Sequence, residues 1–266
     1  MTAPEFDDVI ESQLRLRQRR VPYAVATVIR TVGSSAAKAG SKAIIDAHGR
    51  VLTGWVGGGC AEAAVREAAR DCLKNGQTHV LHIDMTDEVL GIGMPCGGQM
   101  DVFIEPQLPI PTVWILGHGR MAESVASLAV MLGLGAIVHD LNVTSERLPS
   151  RCQMINDDPG FERLVPLKGD AVIVASQHKG DHLALRQVLK TPVEYVALIA
   201  SVKRARLILD YLREAGFSSA DLARIRAPAG VDLGGHTAEE IALSVLAEFT
   251  MVRRGGSGQL MRERIH

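Results

Sequence analysis

The chain has 266 residues, with 29 Lys and Arg against 30 Asp and Glu and a formal net charge of −1. That balance excludes the basic excess of a nucleic-acid binder. Aromatic residues make up 4% of a chain that is 47% hydrophobic, so the core must be built from Val, Leu, Ile and Ala. The longest apolar run, residues 127–138, is too short to cross a bilayer.

In chain order, residues 6–19 place Phe6, Val9, Ile10, Leu14 and Leu16 near helical spacing. That helix ends in Arg15, Arg17, Arg19 and Arg20, a basic end that suits the helix dipole, and Pro22 stops it. Residues 23–31 form a β-branched strand, and 33–40 a loop of small residues. Residues 41–46 and 50–56 are strands joined across Ala47-His48-Gly49 as a hairpin. A helix over 61–74 turns Ala61, Ala64, Val65, Ala68, Ala69, Cys72 and Leu73 inward, which makes Cys72 a packing residue. Residues 79–85 and 101–105 are two further strands, and the three prolines among residues 106–111 mark a domain boundary.

The chemistry of this half lies in two loops. Gly57-Gly58-Gly59-Cys60 joins a strand to a helix. Glycines lie flat against a ligand, the opening amides of a helix suit a phosphate, and a thiol beside them gains thiolate character. Alone, the stretch reads equally as a tight turn with a small buried cysteine. A second loop, Gly91 to Met100, carries Cys96-Gly97-Gly98 and mirrors the first, so the two cysteines can face each other. Asp84, Asp87 and Glu88 precede it, as acid/base groups or as a polar strand end. Cys60, Cys72, Cys96 and Cys152 lack CxxC spacing and form neither a disulfide framework nor a zinc knuckle. They read as reduced thiols. With an acidic start, Met1 to Asp8, in place of a basic leader, the expectation is a soluble cytoplasmic protein.

The second half opens with a strand over 112–116, then Gly117-His118-Gly119-Arg120-Met121-Ala122, a helix to about residue 132, a strand over 136–139 and Asp140. Asp140 follows Gly117 by 23 residues, near the offset at which a dinucleotide fold places its ribose-binding acid. Strands over 170–175 and 195–200 alternate with helices over 182–189, 205–215 and 219–224. Thr237 and Glu240 form a capping box for a helix to about residue 254. Lys203, Arg204 and Arg206 follow a strand end, as an anion site or as a solvated helix start. His178 and His182 have helical metal spacing, but Gly180 lies between them and no third ligand is evident. The predicted fold is α/β: an N-terminal α+β domain over 1–106, a Rossmann-like parallel-sheet domain over 112–255 and a mobile tail over 256–266.

The run Gly54-Trp55-Val56-Gly57-Gly58-Gly59-Cys60-Ala61-Glu62, the run from Gly93-Met94-Pro95-Cys96-Gly97-Gly98-Gln99 to Pro106, and the segment from Pro228-Ala229-Gly230-Val231-Asp232-Leu233-Gly234 to Ala242 together resemble the XdhC/CoxI family. The resemblance implies a maturation factor of molybdenum hydroxylases such as xanthine dehydrogenase and carbon monoxide dehydrogenase, not an enzyme in its own right. Residues 195–204 look closer to the carbon-monoxide-dehydrogenase branch. Such a factor binds the molybdenum cofactor (molybdopterin or its dinucleotide form), protects it through sulfuration and inserts it into the apoenzyme. The implied partners are that apoenzyme, a cysteine desulfurase-type sulfur donor and a second copy of the chain. Within that reading Cys96 is the first choice for a transient molybdenum ligand and Cys60 the second. Gly57, Gly58, Gly59, Gly97 and Gly98 line the cofactor, while Gly117, Gly119, Ala122 and Asp140 hold its nucleotide part or a separate nucleotide. Where the family often carries a histidine in the second glycine motif, this chain has Arg120, with His118 displaced. The residues also leave open an NAD(P)-dependent oxidoreductase, with Trp114 as a fluorescent reporter two residues before the motif, and a scaffold that binds neither ligand.

Overall fold

The computed structural model describes residues 5–33, 35–85, 98–176 and 180–264. The chain divides into two compact units, residues 1–109 and 110–266.

The first unit is one antiparallel sheet with a helix on each face. Helix α1 (Glu5–Gln18) leads into strands β1 (Tyr23–Gly33), β2 (Lys42–Asp46) and β3 (Val51–Gly54), then helix α2 (Cys60–Asn75), then β4 (His79–Asp84) and β5 (Gly98–Gln107). The sheet order is β3-β2-β1-β5-β4. One face alternates Ala24, Ala26 and Val28 with Val102 and Ile104 of β5, all fully buried, beneath Ala61, Val65, Ala69 and Cys72 of α2. The small residues of α2 let the helix lie close on the sheet. On the opposite face Val9 packs with Tyr23, Val25 and Ile44. The β2–β3 turn is fixed by Asp46, whose Oδ1 accepts the amides of His48 and Arg50 at 2.9 Å while Oδ2 accepts Arg50 Nε at 2.8 Å. Strand β5 runs on through Gln107, so Pro106 and Gln107 belong to the sheet and not to a linker.

The second unit is a parallel sheet of β6 (Thr112–Leu116), β7 (Gly135–His139), β8 (Cys152–Ile155), β9 (Ala171–Val174), β10 (Tyr195–Leu198) and β11 (Ile225–Arg226). Its order is β11-β10-β9-β6-β7-β8. Numbered within the unit, this is the 3-2-1-4-5-6 order of the doubly wound dinucleotide fold. Helices α3 (Arg120–Met131) and α7 (Ala238–Arg254) share a core with one face. Helix α4 (Asp181–Val188) and helix α5 (Val202–Glu214) share a core with the other. A short helix α6 (Ser219–Leu222) precedes β11, and a 3₁₀ turn spans Met261–Arg264. The expected strands at 112–116, 136–139, 170–175 and 195–200 are present, the last two shorter than expected. Strands β8 and β11 have no counterpart among the expected elements. The buried Asp170 fastens the start of the sheet: it accepts Thr112 N at 2.8 Å, Leu167 N at 2.8 Å and Trp114 Nε1 at 3.3 Å.

Candidate functional site

In the first unit three loops converge on one end of the sheet. Antiparallel pairing brings together the end of β1, the start of β2, the end of β3, the end of β4 and the start of β5. Gly54 is obligatory there: φ is +79° and an added Cβ would lie 2.1 Å from Lys42 O. Gly57 (φ +115°) rests against Met100 of β5, two residues beyond Gly98. An added Cβ at Gly58 or Gly59 would meet only open space. Gly59 is the N-cap of α2 and no side chain caps that end, so the first helical amides, which lack partners within the helix, have no side-chain acceptor. Cys60 is the first residue of α2 and its thiol is exposed, whereas Cys72 lies buried on the inward face. Burial pushes the Cys72 thiol up, with Asp71 adding to the effect.

Met85 N donates to Gly98 O at 3.0 Å, closing the base of the second loop. Gly98 is buried opposite Gly33 at the start of β5. Cys96 and Gly97, like Asp87 and Glu88, lie outside the described residues. Asp84 accepts Gln99 Nε2 at 2.9 Å. In the neighbouring 33–42 loop, Ser35 Oγ is shielded from solvent and makes no hydrogen bond among the described residues. Bare glycines and uncapped helix amides are groups of the kind that suit a phosphate.

In the second unit the glycine motif occupies the topological switch point between β6 and β9. Gly117 (φ +143°) is obligatory because an added Cβ would lie 2.5 Å from Ala175 O. Gly119 (φ +77°) is the N-cap of α3, again without a side-chain cap. Ala122 is buried on the inner face of α3, and its small side chain lets the helix approach the sheet. Asp140 directly follows β7, with Oδ1 accepting Asn142 N at 2.8 Å and Asn142 Nδ2 at 3.2 Å. His118 Nδ1 stands 3.0 Å from the same oxygen but off the angle of a hydrogen bond, leaving that nitrogen shielded and without a hydrogen-bond partner among the described residues. Gly117, Asp140, Asn142, Ser176 and Gly180 line a crevice of about 230 Å³. At its margin the fully buried His139 donates through Nε2 to Asp158 (3.1 Å to the carbonyl, 3.2 Å to the carboxylate) and packs against Phe161.

The basic cluster resolves into unequal parts. Helix α5 begins at Val202, so Lys203, Arg204 and Arg206 lie within it. Arg204 turns inward: Nη2 and Nε reach Asp181 Oδ2 at 2.6 and 2.8 Å, and Asp181 Oδ1 accepts Ser176 Oγ. Asp181 is 2% exposed. Arg204 is therefore a strut tied to Asp181, which Ser176 also meets, while Lys203 and Arg206 are exposed. His178 lies outside the described residues, and His182 packs edge-on against Tyr211. Trp114 is buried with its indole on Asp170, so it reports the core.

The 228–237 segment, a plain loop by its sequence, is pinned along α7 by three side chains four residues apart. Glu240 Oε2 accepts the amides of His236 and Thr237 at 2.8 and 2.9 Å, Ser244 Oγ donates to Val231 O, and Glu248 Oε2 accepts Gly230 N at 2.9 Å. Those amide donors hold the Glu240 carboxyl below its usual range. Gly230 and Gly235 are required because added Cβ atoms would fall 2.2 Å from Ser244 Oγ and 2.6 Å from Glu240 Cβ. Between this loop and residues 199–201 lies a second cavity of about 570 Å³. The E-x₃-S-x₃-E spacing is the sequence signal for this arrangement. Among the described residues no group of three or more His, Cys, Asp or Glu is placed to hold a metal ion. No helix among them is long and apolar enough to cross a membrane.

Comparison with known proteins agrees with this architecture. The family described as the XdhC Rossmann domain matches residues 113–249, more than half the chain. The XdhC and CoxI family matches residues 16–84. The chain belongs to the XdhC/CoxI family. As a member it is 27% identical over 265 residues to the uncharacterized protein YqeB of Escherichia coli K12, covering 97% of this chain and 49% of YqeB. It is 24% identical over 280 residues to the molybdenum cofactor insertion chaperone PaoD of the same strain, covering 86% of this chain and 83% of PaoD. A Bacillus subtilis protein described as a probable xanthine dehydrogenase subunit is 26% identical over 162 residues, covering 58% of this chain and 46% of its own length. The chain thus spans about half the length of YqeB. A Bacillus halodurans crystal structure described as a xanthine dehydrogenase aligns with 97% of this XdhC/CoxI chain and 99% of its own, at 18% identity and a TM-score of 0.49.

Proposed function

We infer that this chain is a maturation factor for a molybdenum hydroxylase, binding the molybdenum cofactor and delivering it to the apoenzyme. The observation that carries this reading is the cradle Gly57-Gly58-Gly59-Cys60, bare glycines opening onto an uncapped helix with an exposed thiol, in an XdhC/CoxI chain. Such a cradle suits a phosphate-bearing ligand that also carries a thiophilic metal. Gly58 and Gly59 would hold the phosphate of molybdopterin, and Cys60, with Cys96 from the partner loop, would offer thiolates to molybdenum. When bound, the cofactor supplies a thiophilic metal centre. The chain itself supplies an anion cradle and thiol contacts that shield that centre until transfer. The similarity to PaoD supports this role and does not define the client.

The test is co-purification of the chain with cofactor from a molybdenum-replete host, followed by metal analysis of the wild type, Cys60→Ala and Cys96→Ala. The reading expects molybdenum with the wild type and a large loss in at least one variant. Full retention in both variants sinks the thiol assignment, and no molybdenum in the wild type sinks the function. The dinucleotide strand order and Asp140 favour a second reading, an NAD(P)-dependent oxidoreductase. Calorimetric titration with NADH and NADPH tests it, since the buried Trp114 is a poor reporter of the crevice.

A further inference from the structure

Two carboxylates line the 230 Å³ crevice of the second unit, Asp140 and Asp158. They are not equivalent. Asp158 is buried, accepts the amides of Glu162 and Arg163 at 3.0 and 2.8 Å, and holds His139. It is a structural group. Asp140 engages through Oδ1 alone, which accepts Asn142 N and Asn142 Nδ2 and faces His118. Its Oδ2 makes no hydrogen bond among the described residues. The crevice therefore offers one uncommitted carboxylate oxygen, on a side chain only 20% exposed.

The cations around the glycine motif are committed elsewhere. No lysine or arginine stands among the described lining residues. Arg204 is tied to Asp181, and Arg120, directly after Gly119, is held by Glu239 through bonds of 3.0 and 3.2 Å. His118 stands 3.0 Å from Oδ1 and leaves Oδ2 open.

An ionised carboxylate accepts hydrogen bonds and donates none. The free oxygen of Asp140 therefore welcomes a hydroxyl and repels a phosphate. The apolar part of the lining, Leu141, Pro159, Phe161 and Leu183, selects no particular ring. Discrimination thus falls on the atom that meets Asp140. In a dinucleotide fold of this strand order, the acid placed after the second strand meets a ribose 2′-hydroxyl. We propose that the crevice is the ribose subsite of a dinucleotide whose 2′-hydroxyl is free, and that Asp140 excludes a ligand with a phosphate on that oxygen. The ligand class is NAD-type and not NADP-type. The diphosphate is left to the start of α3, which opens two residues after Gly117 without a side-chain cap. The proposal rests on the dinucleotide reading of the second unit. It requires no hydride transfer, and it is separate from the glycine cradle of the first unit.

The experiment titrates the full chain with NAD⁺ and with NADP⁺ by calorimetry. The two probes differ only in a phosphate on the 2′-oxygen. The wild type is expected to bind NAD⁺ saturably and NADP⁺ at least about tenfold more weakly, because like charges brought together are strongly disfavoured. Asp140→Asn keeps an Oδ1 acceptor for the Asn142 amide and removes the charge. It is expected to melt with the wild type and to narrow the gap to within about threefold, chiefly by tightening NADP⁺. An unchanged gap in a folded Asp140→Asn overturns the proposal. Should that variant melt early, the wild-type ratio decides alone. Equal binding of the two probes by the wild type, or tighter NADP⁺, overturns the subsite and leaves the dinucleotide reading standing. Binding of neither overturns both. The molybdenum content of the purified chain reads the cofactor cradle separately.

Discussion

Arg204 separates a structural cation from a ligand-facing one. Its guanidinium makes two short charge-assisted contacts with Asp181, a carboxylate 2% exposed, and Ser176 supplies the other hydroxyl donor to that group. Arg204→Ala leaves the buried charge with one side-chain donor. Breaking a buried pair by removing one partner costs about 3–5 kcal/mol. The Arg204 side chain is 27% exposed, so water reaches part of the vacated space and the lower end, about 3 kcal/mol, applies. For a unit of this size, about 2–4 °C per kcal/mol translates this into a midpoint lowered by about 6–12 °C. Arg206→Ala, an exposed change on the same helix, should stay within about 0.5 kcal/mol. The assay is thermal unfolding followed by Trp114 fluorescence in a Trp55→Phe background, which leaves one tryptophan of the two and places it in the second unit. A double-mutant cycle with Asp181→Ala should return a coupling energy of about 2–3 kcal/mol. Arg204→Ala melting with the wild type while losing anion affinity would refute the argument and return Arg204 to the ligand site.

Gly58→Ala should leave stability within about 0.5 kcal/mol, since its Cβ meets open space, yet reduce the molybdenum that co-purifies; Gly117→Ala should unfold or strongly destabilise the second unit, as seen by circular dichroism. In the native chain iodoacetamide should label Cys60 well before Cys72 and Cys152, whose thiols burial pushes up; peptide mass spectrometry showing equal rates would contradict this packing. Burial raises the Asp46 carboxyl, but the amide and guanidinium of Arg50 and the amide of His48 outweigh it and hold the group below the usual carboxylate range. Its contribution is therefore present above its unfolded value of about 3.9 and is lost as pH falls through the folded one. Urea midpoints should drop between pH 7 and pH 3 by more in the wild type than in Asp46→Asn, and parallel curves would rule this out.

The sequence reveals most clearly what local chemistry controls. The strand–glycine–helix passages at 54–60 and 116–120, the inward stripe of α2 and the Thr237–Glu240 capping box all depend on residues a few positions apart, and each stands where that spacing puts it. Strand β8 escapes such reading because it is a short edge strand whose residues are all partly or fully exposed, and β11 because two residues carry no periodicity. The commitment of Arg204 to Asp181 joins side chains 23 positions apart on different helices, so no local pattern distinguishes it from its neighbours Lys203 and Arg206. The binding of the 228–237 loop to α7 is legible in principle, as Glu240, Ser244 and Glu248 repeat every four residues along one face of the helix. Read singly, each is only a surface polar residue.

That row of side chains has a kinetic corollary. Glu248 holds the loop amide of Gly230 with the same oxygen that accepts Tyr195 Oη from β10, at 2.9 and 3.0 Å, so the loop beside the 570 Å³ cavity and strand β10 are fastened to one carboxylate. The cavity is set before any ligand arrives, and a guest does not have to order the loop around itself. Preorganisation of this kind cuts the entropic penalty of association. Differences among guests should then appear in how long each stays, with little difference in how fast each enters.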